Sequence, residues 1–180
     1  YLAVWTALAR VMVTASRRQD EDPGPAHARR LVTTSAIFLV VFAGTFSLSA
    51  FDWIMSREPD WSSTLFGVYL FSGLFLSGLA AFIVLTFSQW RQGPLREVFS
   101  DAHRHDLGKF LFGMASFWMY IWFCQYMLIW YVNNPEETPY YVFRLRGVLA
   151  LLFWLNVVLN WAVPFLLLLP RRAKLSTKIL

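Results

Sequence analysis

The feature that most constrains the fold of this chain is a series of long apolar blocks. The longest, Thr64–Gln89, contains no Lys, Arg, Asp or Glu. A helix needs about 20 consecutive apolar residues to cross a bilayer, and it satisfies its own backbone hydrogen bonds there. A soluble domain with 57% hydrophobic and 15% charged residues could not bury so much apolar surface. The sequence therefore predicts an all-α, polytopic bundle of transmembrane helices.

Five apolar blocks define the predicted spans, at approximately 1–16, 31–51, 64–89, 110–132 and 148–169. The first block is shorter than the roughly 20 residues of a full span, and the chain begins with Tyr1 rather than Met. We therefore expect residues 1–180 to be one transmembrane domain with four full spans and one partial span. We also expect this domain to be a fragment of a larger membrane protein.

Basic residues lie in alternate connections between the blocks. Twelve of the 16 Lys and Arg residues fall in Arg17–Arg30, in Trp90–Lys109 and in the tail after Leu169. Cytoplasmic loops of bacterial membrane proteins carry such an excess. We therefore predict a multi-pass protein of the bacterial inner membrane with a cytoplasmic C-terminus. The loops Asp52–Ser63 and Asn133–Gly147 would then face the other compartment.

Several cofactors and partners are disfavoured by the residue types present. Cys124 is the only cysteine, which leaves too few ligands for a zinc or iron–sulfur cluster. His27, His103 and His105 lie in or next to loops rather than within spans, so we expect this chain to bind no haem. The net charge of +5 is spread between apolar blocks instead of covering a soluble face, so lipid rather than nucleic acid is the expected contact.

A charged group opens the fourth span. His105, Asp106 and Lys109 are three or four residues apart, which places them on one face of a helix. Histidine titrates near neutral pH, and ionisable groups at a membrane are functional candidates. We expect the mouth of a proton path here, leading toward Tyr120 and Gln125. The alternative is a solvated helix start from which Lys109 snorkels.

Acidic residues on the opposite side could form the exit of that path. Asp52 follows the second span, and Glu136 and Glu137 follow Pro135 in the loop after the fourth. The alternative is an ordinary solvated loop in which proline ends the helix.

The fourth span is rich in aromatic residues, whose flat rings could line a slot for a quinone. Gln125 or Tyr126 could donate a hydrogen bond to a quinone carbonyl, and Trp130 lies one turn further along. Aromatic side chains also face lipid and pack against helices, so this pattern alone is a weak indication of a quinone site.

Three strings of sequence carry a resemblance when taken together. They are Phe51–Ser56 continuing to Glu58-Pro59 and Trp61, His105–Lys109, and Gln125–Tyr131 continuing to Asn134–Thr138. In these strings, from about Leu31 to the basic tail, the chain resembles the C-terminal half of a membrane subunit of bacterial alternative complex III. Such subunits belong to the NrfD-like, or polysulfide-reductase membrane-subunit, family.

The resemblance implies a subunit of about ten spans built from two four-helix bundles with flanking helices. It also implies an assembly that oxidises quinol in respiratory or photosynthetic electron transfer. The electrons would pass through iron–sulfur clusters and c haems of partner subunits, beside a second NrfD-like subunit. The chain is similar to the second of the two membrane subunits, from which the resemblance implies a scaffold and a proton route. A secondary transporter and a purely structural anchor remain the alternatives.

Overall fold

The chain is all-α in a computed structural model that describes residues 1–21, 24–93, 95–170 and 174, and no strand occurs among them. Four helical segments are long and apolar enough to cross a membrane: Pro25–Arg57, Phe66–Gln92, Asp101–Val132 and Gly147–Leu168. The predicted helical bundle with four full spans is confirmed. The chain has the character of a multi-pass membrane protein.

The helices follow one another as α1 (Leu2–Glu21), α2 (Pro25–Trp53), α3 (Phe66–Gln92), α4 (Asp101–Val132), α5 (Thr138–Arg144), α6 (Gly147–Val157) and α7 (Val163–Leu168). A 3-10 turn, Met55–Arg57, follows α2, and a π-helical turn, Val158–Ala162, joins α6 to α7. The chain divides into two compact units, Tyr1–Arg57 and Glu58–Leu180. Of the predicted basic tail, only Pro170 and Lys174 lie within the described residues.

The first unit is an antiparallel pair formed by α1 and α2. The Trp5 indole N–H donates to the Thr45 hydroxyl at 2.8 Å, and its ring lies 5.0 Å from that of Phe42. The Tyr1 hydroxyl donates to Asp52 at 2.5 Å. The predicted partial span is therefore one helix of this pair, although α1 is not among the four helices apolar enough to cross a membrane.

The connection predicted at Arg17–Arg30 is mostly helical. α1 continues to Glu21 and α2 begins at Pro25, where proline suits a first helical turn because its missing N–H has no intrahelical partner there. Asp22 and Pro23 lie outside the described residues. The apolar blocks therefore mark how far each helix could lie in lipid, whereas the helices themselves extend beyond the blocks.

The second unit packs α3, α4 and the α6–α7 segment around aromatic residues. Its core cluster comprises Leu76, Ala115, Trp118, Trp122 and Val157. Because membrane helices approach closely only where side chains are small, the fully buried Ser72 and Ala115 let the backbones come together. A further cluster of Leu79, Ile83 and Phe87 fills the other half of α3.

α4 begins nine residues before the apolar block that predicted it. The Ser100 backbone N–H donates to Nδ1 of His103 at 3.1 Å, and the Ser100 side chain completes a capping box. Asp101 in the first turn forms a salt bridge with Arg104, whose guanidinium stands 5.3 Å from the centre of the Trp90 ring. These contacts support a solvated helix start, which hydropathy alone does not show.

The fifth predicted span is interrupted within one turn of Pro164. Proline has no backbone N–H and cannot continue the ordinary ladder. The chain widens into a π-helical turn instead, and the Val163 N–H donates to the carbonyl of Val158. The side chain of Asn160 donates to Oδ1 of Asn156 at 2.6 Å beside this turn.

Candidate functional site

Two loops meet at one end of the second unit, residues 58–65 and 133–146. The rings of Trp61 and Tyr140 are parallel within 8°, with centres 3.8 Å apart. The Arg144 guanidinium lies 3.3 Å from the centre of the same Tyr140 ring. Two groups this close to one ring must occupy its opposite faces. We call this arrangement the Trp61–Tyr140–Arg144 stack, and it holds the two loops together.

A cavity of about 310 Å³ lies beneath the stack, and we call it the Gln125 cavity. Gln125 is 4% exposed, and its Oε1 accepts a hydrogen bond from the Ser63 hydroxyl at 2.8 Å. The Asn156 amide donates to the Tyr69 hydroxyl at 3.5 Å. The lining combines these polar groups with aromatic and aliphatic walls, namely Tyr69, Trp122, Gln125, Tyr140, Tyr141, Arg144, Leu149, Leu152, Phe153 and Asn156.

The three residues predicted to hold a quinone line two different cavities in the described part of the chain. Gln125 lines the cavity under the stack, whereas Tyr126 and Trp130 line another of about 380 Å³. Tyr141 lines both cavities. The Gln125 cavity has the volume and the mixed lining of a small-ligand site, and the Gln125 amide could act as a donor to a quinone carbonyl. A quinone there would be held by Gln125 without Tyr126 and Trp130.

The predicted acidic exit residues are found in different settings. Asp52 belongs to the first unit, where it accepts the hydrogen bond from Tyr1. Glu136 lines a cavity of about 410 Å³ that also contains Glu58, Asp60 and Arg144. Glu137 precedes α5 and is partly buried. Arg144 is the basic partner of this acidic group, with its guanidinium 3.9 Å from Glu58.

The predicted proton-path residues lie mainly on one exposed face of α4. Lys109 Nζ lies 2.8 Å from Oδ1 of Asp106, and these side chains are 54% and 68% exposed. Tyr120 is 63% exposed and lies one helical turn before Cys124. Because helix positions three or four apart share a face, the polar residues continue along it, and we define the polar face of α4 as Asp106, Lys109, Ser116, Tyr120 and Cys124.

His105 and Gln125 do not lie on the polar face of α4. His105 is partly buried beside the Asp106–Lys109 pair, and Gln125 lies inside the bundle. Tyr120 and Gln125 therefore point in different directions, and the predicted group divides between an exposed face and an enclosed cavity. Ser116 and Cys124 were missed in the sequence, although their spacing from Asp106 and Tyr120 could have indicated them.

The other residues that line the Gln125 cavity had no strong signal in the sequence. Tyr69, Tyr140 and Arg144 are distant from Gln125 along the chain, and single aromatic residues near span ends are typical membrane-interface anchors. Only the packing of α3 and α5 against α4 brings them to one cavity.

The burial of Tyr141 predicts that this end of the bundle is sensitive to alkali. Burial raises the pKa of its hydroxyl above the ordinary value of 10.0, with smaller contributions from the Tyr140 and Tyr69 hydroxyls. The unfolded chain therefore loses this proton first, so the stabilisation is complete below about pH 10 and is lost as pH rises above it. We expect a fall in stability above that pH, which Tyr141→Phe should reduce. Thermal unfolding in detergent across pH measures it.

The exposed Tyr131 supplies the control for this experiment, since it is 81% exposed. Tyr131→Phe should retain the alkaline fall of the parent protein. An identical pH profile for Tyr141→Phe and Tyr131→Phe would show that the Tyr141 hydroxyl is not responsible.

Comparison with models of known protein families gives no match for this chain, and comparison with curated proteins gives none either.

Proposed function

We propose that this chain is an integral membrane subunit of a quinol:cytochrome c, or other acceptor, oxidoreductase of the alternative complex III type. Within that complex it corresponds to the F-type membrane subunit of the NrfD-like family. It contributes a scaffold and a proton path, while iron–sulfur and c-type cytochrome subunits carry the electrons. The resemblance in the three sequence strings supports this assignment to a complex. The geometry of α4 supports the proton path.

The observation that supports the proton path best is the polar face of α4. Charged residues in transmembrane helices rarely face lipid, and they usually face protein or a water-filled space. Asp106 and Lys109 are more than half exposed within this chain, and Tyr120 lies further along the same face. Asp106 and Lys109 precede the apolar block and lie at its solvated end, whereas Tyr120 lies within the block. The face from Lys109 to Tyr120 should therefore be covered by another part of the complex or lined by water in the membrane.

The residues of the polar face have suitable proton chemistry. The Asp106 carboxylate can accept a proton, and the Ser116 and Tyr120 hydroxyls can both donate and accept. Lys109 and Ser116 are seven residues apart, or about 10 Å along a helix. This distance is too long for a direct hydrogen bond, so water must connect them in a working path.

The direction of that path follows from the predicted topology. Arg91, Arg96, Arg104 and Lys109 lie at the Asp106 end of the second unit, and loop charge of this kind is typical of the cytoplasmic side. We propose that protons enter there. They leave toward the side of Glu136 and Glu137, and Asp52 is a further exit candidate.

Substitution of the ion pair tests the proposal. Asp106→Asn and Lys109→Met should lower quinol:cytochrome c reductase turnover and coupled proton uptake at least about tenfold, because a positioned proton donor or acceptor is worth at least that much. The measurement is made in membranes where immunoblots show wild-type amounts of the assembled complex.

Asp101→Asn provides a matched control. Asp101 is 73% exposed and pairs with Arg104 on the same helix, at three-residue spacing like the Asp106–Lys109 pair. The Asp101→Asn variant should retain wild-type turnover, since Asp101 lies off the polar face. Normal turnover and proton uptake in Asp106→Asn and Lys109→Met would contradict the proton path and indicate that the chain is a structural anchor.

A further inference from the structure

The first unit contains a pocket that none of the functions above requires. It has a volume of about 260 Å³ and lies between α1 and α2. Arg10 and Arg18 line it from α1, and His27 and Arg30 line it from α2. The rest of the lining is small or apolar, comprising Val11, Thr14 and Ala15. We call it the arginine pocket.

The arrangement of the arginine pocket concentrates positive charge. Arg10, Thr14 and Arg18 follow one another at four-residue intervals, which aligns them along one stripe of α1. Within residues 1–21 and 24–57, no carboxylate forms a salt bridge with Arg10, Arg18 or Arg30. Like charges held this close repel one another, so an anion in the pocket would stabilise the helix pair.

The start of α2 adds to this attraction. α2 begins at Pro25, and Gly24 at its N-cap offers no side-chain acceptor for the first backbone N–H groups. Such groups carry the positive end of the helix dipole. His27 and Arg30 lie in the first two turns of the same helix. The dipole and the side-chain charges therefore attract an anion to the same end of the pair.

The surroundings of the pocket favour a lipid as the source of the anion. Exposed apolar side chains cover both helices away from the charged end, including Leu2 and Val4 on α1 and Ile37, Leu39 and Val40 on α2. Acyl chains can lie along such a surface. Guanidinium groups bind phosphate oxygens through paired hydrogen bonds, and basic pockets between membrane helices suit anionic headgroups.

From this pocket we propose that the first unit carries a binding site for the phosphodiester headgroup of an anionic phospholipid. Arg10, Arg18 and Arg30 contact the phosphate, and His27 lines the same pocket. The acyl chains lie along the apolar surface of the helix pair. The proposal is independent of electron transfer, so the proton-path experiment neither supports nor weakens it.

Lipid titration of the full-length protein in detergent tests the site. Phosphatidylglycerol should bind and raise the midpoint of thermal unfolding, whereas phosphatidylcholine with the same acyl chains should not. Arg18→Gln/Arg30→Gln should weaken phosphatidylglycerol binding at least about tenfold, since the charge-assisted hydrogen bonds of both guanidinium groups with the phosphate are lost. Native mass spectrometry counts the bound lipid.

Neighbouring arginines supply a control with the same change in charge. Arg17 and Arg29 lie next to Arg18 and Arg30 but do not line the pocket. Arg17→Gln/Arg29→Gln should retain parent affinity for phosphatidylglycerol. Equal losses in the two double variants would mean diffuse attraction to the charged end of the unit and would overturn the site.

Two further measurements separate a lipid site from a free-anion site and cover the case in which the double variant does not fold. Inorganic phosphate should give less than a tenth of the stabilisation given by phosphatidylglycerol at equal concentration, and equal stabilisation would identify a free-anion site instead. If the double variant does not fold, the single variants Arg18→Gln and Arg17→Gln are compared. Weaker lipid binding in Arg18→Gln alone supports the site, and equal binding in the two rejects it.

Discussion

Replacing Trp118 with alanine is expected to lower the free energy of unfolding by about 3 kcal/mol, within the range for loss of a large buried aromatic side chain. Trp118 is 2% exposed and lies in the core cluster of the second unit. Its ring centre is 6.1 Å from that of Tyr69 and 6.5 Å from that of Trp122. The measurement is reversible unfolding in mixed micelles.

The physical reason for this loss is packing rather than transfer from water. Lipid chains are as apolar as a protein interior, so helix association in a bilayer depends on close contact between side chains. Removing the indole leaves a cavity that the α3–α4 contact cannot close without moving a helix. The dispersion contacts of its lining are then lost.

Trp130→Ala tests the same explanation on the same helix. Trp130 is 69% exposed, so its removal leaves no internal cavity. It should change the free energy of unfolding by less than about 1 kcal/mol, as for other substitutions away from a core. Similar losses for Trp118→Ala and Trp130→Ala would indicate a general effect of tryptophan content rather than packing at Trp118.

The helical spans could be predicted from sequence because each apolar block is long enough to leave little choice of structure. The helix ends were less predictable. The apolar block of the fourth span begins only at Phe110, but Ser100 and His103 cap a helix that already starts at Asp101. Capping and ion pairs extend a helix into water through polar residues. Hydropathy detects only the apolar part of such a helix, so it does not show where the helix begins or ends. The same reason explains why α1 continues to Glu21.

The candidate sites were predictable only where they lie on one helix. Helical spacing correctly placed Asp106 and Lys109 together, and they form an ion pair at 2.8 Å. The same reasoning grouped Gln125 with Tyr126 and Trp130, but adjacent helix positions point about 100° apart. Gln125 accordingly turns into the bundle while Tyr126 and Trp130 line another cavity. The partner residues of each cavity come mainly from other helices, and the packing of those helices against α4 had no local signal in the sequence.

The helix pair α3–α4 also gives a prediction about close approach. A Cβ atom added at Gly73 would lie 3.2 Å from Nε1 and 3.5 Å from Cδ1 of Trp118. Gly73→Leu places three more carbon atoms beyond that position, so the indole or the helix must move. We expect a loss of about 1–3 kcal/mol in the free energy of unfolding, as for other overpacked cores. Gly78→Leu is the control, since among the described residues no atom beyond the adjacent turns of its own helix backbone lies within 4 Å of a Cβ atom there.

Combining the two substitutions separates steric conflict from other effects of leucine. In Gly73→Leu/Trp118→Ala, the new side chain enters the space that the indole leaves. The double variant should be more stable than the sum of the single losses predicts, by about 0.5–3 kcal/mol, the range found for residues in contact. Gly78→Leu/Trp118→Ala should be additive, because Gly78 has no such neighbour. Additive losses in both double variants would mean that Gly73 and Trp118 do not pack against each other in the folded protein.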